Sequence, residues 1–207
     1  MASEVDICNL ALGHLGDNAT VASIIPPEGS AQAEHCARFY PIARDSLLEM
    51  HQWNFATRRA TLAQVTNNWS QWAYAYAPPN GFSDVIAILP PDATDDYVTI
   101  GSYTPQPFAV ETQDDGTEVI YTNQANAIIR YTALITDSTK FPPTFVMALS
   151  WHLASMLAGP VIKGDQGAAE AKRCTQMMAG YMSQVKESDA NQRKAVVEHI
   201  VPWTAGR

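Results

Sequence analysis

Apolar residues recur at helical spacing in four stretches of the chain, and the most apolar of these is residues 141–158. Its sequence, FPPTFVMALSWHLASMLA, has a proline pair that suits the first turn of a helix, and it is apolar on almost every face. A helix of that kind must be buried. A membrane span would need roughly 20 apolar residues, and this stretch is shorter. The pattern therefore predicts the central helix of a soluble body, with no membrane partner.

The three other helical stretches have one apolar face each. Ser3 can cap a helix that ends at Gly16, and Ser30 can cap a second helix that continues to about residue 50. The last long helix runs through residues 168–188, and residues 163–167 are predicted to form the tight connection before it. We expect the helices before and after the middle of the chain to pack into one bundle.

In the middle of the chain the apolar period shortens to two, which is typical of strands. In WAYAYA, residues 72–77, three aromatic side chains alternate with alanines. Asp114, Asp115 and Gly116 predict a hairpin turn. Further strand candidates are separated by clusters of Pro, Asp and Gly, and they are residues 84–89, 97–100, 108–111, 118–122 and 127–134.

The order of these elements predicts an α+β fold. Residues 1–71 and 130–188 are expected to form an antiparallel bundle of about four long helices, which is discontinuous in sequence. A small antiparallel β module, residues 72–129, is inserted into it. Beyond residue 188 the helical pattern ends, so residues 189–207 are interpreted as an extended C-terminal arm.

Charge is distributed unevenly along the chain. The formal net charge is −8, and residues 72–129 contain eight carboxylates with no Lys or Arg. An acidic surface argues against a protein that grips nucleic acid, because such proteins contact phosphates with Lys and Arg. The three cysteines lie on apolar helical faces, and the N-terminus lacks the features of a signal peptide. Both observations predict reduced core cysteines in a protein made in the cytoplasm.

Sequence motifs of catalysis are absent: the chain contains no GxGxxG, GxxxxGK[ST], CxxC, HExxH or GxSxG. The five histidines are scattered and do not share a helical face at metal-ligand spacing. We therefore predict a protein that is not an enzyme and that has no cofactor or metal site.

The acidic turns leave two alternatives open. Asp92, Asp95 and Asp96, with Asp114 and Asp115, could supply oxygen ligands to Ca²⁺, although Asp is also an ordinary turn residue. The same carboxylates could bind or hydrolyse a glycan beside an aromatic platform. The simpler interpretation is that the strand aromatics pack between the sheet and the helices. The platform residues are Trp69, Trp72, Tyr74 and Tyr76.

Three stretches of the chain are familiar when taken together: residues 44–63 (RDSLLEMHQWNFATRRATLA), residues 72–81 (WAYAYAPPNG) and residues 120–158. In that order and spacing they resemble the tail tubular protein A family of short-tailed phages, which are head-to-tail adaptors below the portal. The most specific parts are WNFA at residues 53–56 and FPPTF at residues 141–145. The resemblance covers roughly residues 3–188.

The resemblance implies a structural virion protein that forms a dodecameric ring between the portal protein and the tail nozzle, tubular protein B. Tail fibres are further candidate neighbours. Double-stranded DNA would pass through the ring during ejection without sequence-specific binding. Copies that each carry a formal net charge of −8 suit a conduit for a polyanion. The protein would be made in the host bacterial cytoplasm and act in the virion tail.

Two sets of candidate site residues follow. In related adaptors the C-terminal segment engages the portal, which makes the apolar residues of the arm docking candidates: Val196, Val197, Ile200, Val201 and Trp203. Acidic residues of the first two helices are candidates for the channel face: Glu4, Asp6, Glu34, Asp45 and Glu49. A virion-associated glycan-binding or glycan-hydrolysing protein is the alternative function, and a free cytoplasmic helical regulator is a third.

Overall fold

The structure, a computed structural model, describes residues 2–93 and 106–192. Within these ranges the chain forms two compact units. The helical unit contains the residues up to Ala56 and those from Leu134 to Gln192, and the strand unit contains Thr57–Ala133.

Four α-helices form the helical unit in the described ranges: α1 (Glu4–His14), α2 (Ala31–Glu49), α3 (Pro143–Ile162) and α4 (Gly164–Ala190). Two short 3-10 helices, Asn54–Ala56 and Ser138–Lys140, lie in the connections. α3 packs against each of the other three helices, most extensively against α4, which confirms its predicted central position. By length and composition α3 could cross a membrane, but 61% of its apolar window is buried.

The first two helices begin at the predicted capping residues. The Ser3 hydroxyl accepts a hydrogen bond from the Asp6 amide at 3.1 Å, and the Asp6 carboxylate accepts one from the Ser3 amide at 2.8 Å. The Ser30 hydroxyl accepts from the Ala33 amide at 3.2 Å. Gly16 follows α1 with φ 75°, the left-handed conformation that favours glycine at this position. These local predictions are confirmed.

The connection between α3 and α4 is tighter than predicted. It consists of Lys163 alone, because Gly164 to Gly167 already belong to α4. Lys163 has φ 62° and ψ 163°, a conformation that is nearly confined to glycine. Gly167 lets the two helices approach closely, since a Cβ there would lie 2.9 Å from the Ala158 carbonyl oxygen.

The three cysteines lie in the interior of the helical unit. Cys8, Cys36 and Cys174 are buried and have free thiols, as predicted. Burial raises the pKa of Cys174, so its unreactive thiol form is favoured.

The strand unit contains seven strands in its described part: β1 (Thr57–Thr61), β2 (Ala63–Val65), β3 (Tyr74–Ala77), β4 (Phe82–Leu89), β5 (Phe108–Thr112), β6 (Glu118–Thr122) and β7 (Ile128–Ala133). They form a three-stranded sheet in the order β1-β7-β4 and a four-stranded sheet in the order β2-β3-β6-β5. All the pairings are antiparallel.

The predicted architecture is therefore wrong in its β part. The fold is α+β overall, but two antiparallel sheets are not a small insert within a long helix bundle. β1 and β2 escaped prediction because their side chains are mostly exposed and show no apolar alternation. β1 forms through pairing with β7, in which Arg59 lies opposite Arg130, and a local period cannot reveal such a distant partner. The strand predicted at residues 97–100 lies outside the described residues.

Candidate functional site

A groove on the strand unit brings carboxylates together beside an exposed aromatic ring. Its volume is about 410 Å³. A second depression of about 230 Å³ shares Asn68 and Gln113 with it, so the two adjoin. The lining of the larger one includes Trp69, Glu111, Gln113, Asp114, Asp115 and Tyr121.

Hydrogen bonds fix the connection between β2 and β3 that carries Trp69. The Asn67 side-chain oxygen accepts from the Trp69 amide at 2.9 Å, and its side-chain nitrogen donates to the Trp72 carbonyl at 2.5 Å. The Trp72 amide donates to the Trp69 carbonyl at 3.3 Å. Trp69 is nevertheless 55% exposed, so the indole faces solvent from an ordered turn.

The turn between β5 and β6 forms another wall of the groove. The Gln113 amide donates to the Thr117 carbonyl at 2.8 Å, and the Gly116 amide donates to the Gln113 carbonyl at 2.9 Å. The Asp115 carboxylate accepts from the Thr117 amide at 2.9 Å, and this bond lowers the pKa of Asp115. The Gln113 side chain donates to the hydroxyl of buried Tyr121 at 3.3 Å. The hairpin turn predicted at residues 114–116 is confirmed.

The other members of the predicted aromatic platform lie elsewhere in the strand unit. Tyr76 is buried and its hydroxyl donates to the Gln124 carbonyl at 2.9 Å. The Tyr74 ring stacks beside that of Tyr76, with centroids 6.3 Å apart. Trp72 packs against a buried cluster that includes Val119. Of the four platform residues, Trp69 is therefore the one that lines the acidic groove. The spacing of the aromatic residues in the sequence does not reveal that Trp69 is separate from the other three.

The structure describes three of the five candidate calcium ligands. Asp92 lies in an exposed turn, and Asp95 and Asp96 lie outside the described residues. Asp114 and Asp115 line the groove. In residues 2–93 and 106–192, no three His, Cys, Asp or Glu side chains are grouped so that they could hold a metal ion.

Two of the acidic channel candidates lie near one buried ring. Burial raises the pKa of Tyr40, and the charges of Glu4 and Asp45 raise it further. The Arg44 guanidinium lies 5.9 Å from the centre of the Tyr40 ring, and its Nε donates to Asp45 at 2.7 Å. Asp45 is thus already paired within the helical unit, and the charges of both Glu4 and Asp45 act on Tyr40.

The remaining channel candidates have different surroundings. The Asp6 carboxylate caps α1, and the hydrogen bonds with Ser3 lower its pKa. Glu34 and Glu49 are exposed on α2. Neither of these two forms an ion pair with another described residue. Glu34 and Glu49 are therefore the candidates whose carboxylates face solvent without a protein partner in the described ranges.

The end of α4 is fixed to the segment after α2 by Asp189. Its buried carboxylate accepts from the Asn54 amide at 3.0 Å and lies 3.4 Å from His51 Nε2. The Asn54 side chain donates to the Asp189 carbonyl at 2.6 Å. Residues 189 and 190, assigned to the arm from sequence, thus belong to α4. The docking candidates lie outside the described residues: Val196, Val197, Ile200, Val201 and Trp203.

The WNFA and FPPTF stretches form one aromatic cluster in the helical unit. Trp53 meets Phe145 edge to face, with ring centroids 5.1 Å apart. Phe55 contacts Phe145 at 5.0 Å and Phe141 at 6.0 Å. Trp53 is fully buried, and its indole N–H donates to the Leu47 carbonyl at 3.1 Å. These contacts hold the 3-10 helix at residues 54–56 against the start of α3.

No protein-family model matches the chain. No curated protein is significantly similar to it.

Proposed function

We propose that this protein is a structural head-to-tail adaptor of a short-tailed phage, which forms a ring between the portal protein and the tail nozzle and through which DNA is ejected. The aromatic cluster is the observation that carries the proposal. The two stretches that most resemble the tail tubular protein A family lie far apart in sequence, yet their rings pack on one another. Their shared presence therefore has a physical reason, since each stretch needs the other to be buried.

The position of this cluster supports docking through the C-terminal segment. The cluster holds Asn54 in place, and Asn54 binds Asp189, three residues before residue 192, at which the described range ends. A protein that engages a partner through its last residues needs a fixed point from which they start, because a fixed start reduces the entropy lost on binding. The buried Asp189 contact supplies such a point.

The acidic character of the chain supports a conduit. With a formal net charge of −8, each copy repels a polyanion rather than binding it. Glu34 and Glu49 are exposed without an ion-pair partner among the described residues, so they are the best placed to contribute if α2 faces the channel.

The proposal is tested by measuring particle mass for the protein alone, for the portal protein of the same phage, and for their mixture. We expect a closed ring of protein and portal in the mixture. Deletion of residues 193–207 leaves α4 and the Asp189 contact intact, and we expect it to abolish or strongly weaken portal binding. Undiminished binding by this truncated protein would reject docking through the C-terminal segment.

A second variant keeps the chain length unchanged. Serine replaces the apolar docking candidates Val196, Val197, Ile200, Val201 and Trp203. Loss of portal binding in this variant attributes the contact to these side chains rather than to the length of the segment. A free cytoplasmic regulator, by contrast, would remain a small oligomer and would not associate with portal protein in either form.

A further inference from the structure

The adjoining depressions on the four-stranded sheet have the dimensions of a binding site for an extended ligand. Their volumes are about 410 Å³ and 230 Å³, and they meet at Asn68 and Gln113. Ligand sites in proteins range over about 300–1,000 Å³. A chain of several linked units would occupy both depressions, whereas a single small molecule would occupy one.

Trp69 provides a flat apolar surface at this groove. It is 55% exposed although the hydrogen bonds of Asn67 hold its turn in place. An exposed indole on an ordered turn can stack on the C–H face of a sugar ring at a low entropic cost, because it is already positioned before the ligand arrives.

Polar groups around Trp69 match the hydroxyl groups of a sugar. The carboxylates of Glu111 and Asp114 accept no hydrogen bond from any other described residue, so both can accept hydrogen bonds from a ligand. The side chain of Asn68 adds an amide that can both donate and accept.

The charge of the groove restricts the class of sugar. Three carboxylates line the larger depression and Glu118 lines the smaller one. Neither depression contains Lys or Arg, and residues 60–129 contain none at all. A uronic or sialic acid would be repelled by this field, whereas an uncharged sugar would not.

We infer that this groove binds an uncharged oligosaccharide, with one sugar ring stacked on Trp69 and hydroxyl groups hydrogen bonded to Glu111 and Asp114. The inference concerns binding and does not include cleavage of the glycan. It does not depend on the ring, because the site lies within the strand unit of one chain.

The test is isothermal titration of the full chain with defined probes. The uncharged probes are maltohexaose, cellohexaose and mannohexaose, the acidic probe is an oligogalacturonate of the same length, and a hexa-arginine peptide tests for a basic protein segment. We expect at least one uncharged hexasaccharide to bind and the oligogalacturonate not to bind. Trp69→Ala should weaken binding about tenfold or more. Ile25→Ala, at a side chain that is 78% exposed on the helical unit, should leave it unchanged.

A second variant guards against a folding defect in the first. Glu111→Gln combined with Asp114→Asn keeps the shape of the groove and should also weaken binding of the uncharged probe. The inference is overturned if no uncharged hexasaccharide binds, or if binding survives both variants unchanged. Preferential binding of oligogalacturonate or of the hexa-arginine peptide would overturn it equally, since either would assign the groove to a different class of ligand.

Discussion

The buried carboxylate of Asp189, near the end of α4, accepts a hydrogen bond of 3.0 Å from the backbone amide of Asn54. Asn54 is the first residue of a 3-10 helix, where an amide has no partner within the helix. One side chain therefore caps the element that follows α2 and at the same time fixes the end of α4.

Replacing Asp189 by Ala should lower the free energy of unfolding by about 1–3 kcal/mol, because it removes the buried carboxylate that accepts a hydrogen bond from the Asn54 amide. Glu187→Ala, at an exposed position of the same helix, is the matched control and should change stability by less than about 0.5 kcal/mol. Urea denaturation followed by circular dichroism measures both. Equal effects of the two substitutions would show that the Asp189 contact contributes nothing specific.

Close packing of α3 on α4 depends on Gly167. A Cβ at this position would lie 2.9 Å from the Ala158 carbonyl oxygen, so one helix would have to move. We expect Gly167→Ala to destabilise the protein by about 1–3 kcal/mol, as overpacking generally does. Gly180→Ala in the same helix meets no atom within 4 Å and should instead stabilise it by about 0.5–1 kcal/mol. Thermal unfolding of the two variants should shift in opposite directions, and a shift of the same sign would contradict the packing argument.

Some of these features could be predicted from the sequence and others could not. The caps at Ser3 and Ser30 are predictable because each partner lies three residues away. The central helix is predictable because its apolar surface has no other stable location than a core. β1, in contrast, is a strand only because β7 pairs with it, and Trp69 joins Asp114 only after the strands are arranged into a sheet. The spacing of apolar residues within one stretch of the chain carries no information about partners that lie far away in sequence.

Lys163 carries backbone strain between α3 and α4. Its φ of 62° and ψ of 163° belong to a region that side chains disfavour and glycine tolerates. We predict that Lys163→Gly raises the free energy of unfolding by about 1 kcal/mol, because the released strain exceeds the entropy that glycine adds to the unfolded chain. Lys172→Gly, at an exposed position inside α4, should lower it by about 1 kcal/mol. A destabilised Lys163→Gly variant would contradict the assignment of strain.

Stability should decrease in mild acid because the folded protein favours the neutral form of two histidines, His152, which is buried, and His14, which is half-buried. Burial lowers the pKa of His152, and burial together with the Arg173 guanidinium lowers that of His14, both from 6.5. The unfolded chain therefore binds more protons than the folded one as the pH falls through about 6.5, and the free energy of unfolding falls with it. Urea denaturation between about pH 8 and pH 5.5 avoids most carboxylate titration.

His152→Gln separates the contribution of one histidine from the rest. The variant retains a group that can hydrogen bond to the Ser46 hydroxyl, which lies 2.9 Å from His152 Nε2, but it cannot take up a proton. Its stability should depend less on pH than that of the unaltered protein over the same range. A stability that rises on acidification, or an equal pH dependence in both proteins, would contradict the assignment.

If the protein is the adaptor proposed above and α2 faces its channel, passage of DNA should be sensitive to the sign of the charge on α2. Glu34→Lys combined with Glu49→Lys introduces cations that attract phosphate, so ejection from assembled particles should become slower and incomplete. High salt should restore normal ejection, because screening weakens contacts between Lys and phosphate.

The matched control is Asp165→Lys with Glu187→Lys, at exposed positions of α4, and it makes the same change of net charge. Single-particle measurement of ejection rates compares the α2 variant with the α4 control. A salt-dependent delay confined to the α2 variant would support this helix as the channel wall. Equal delays in both variants would show that net charge alone is responsible.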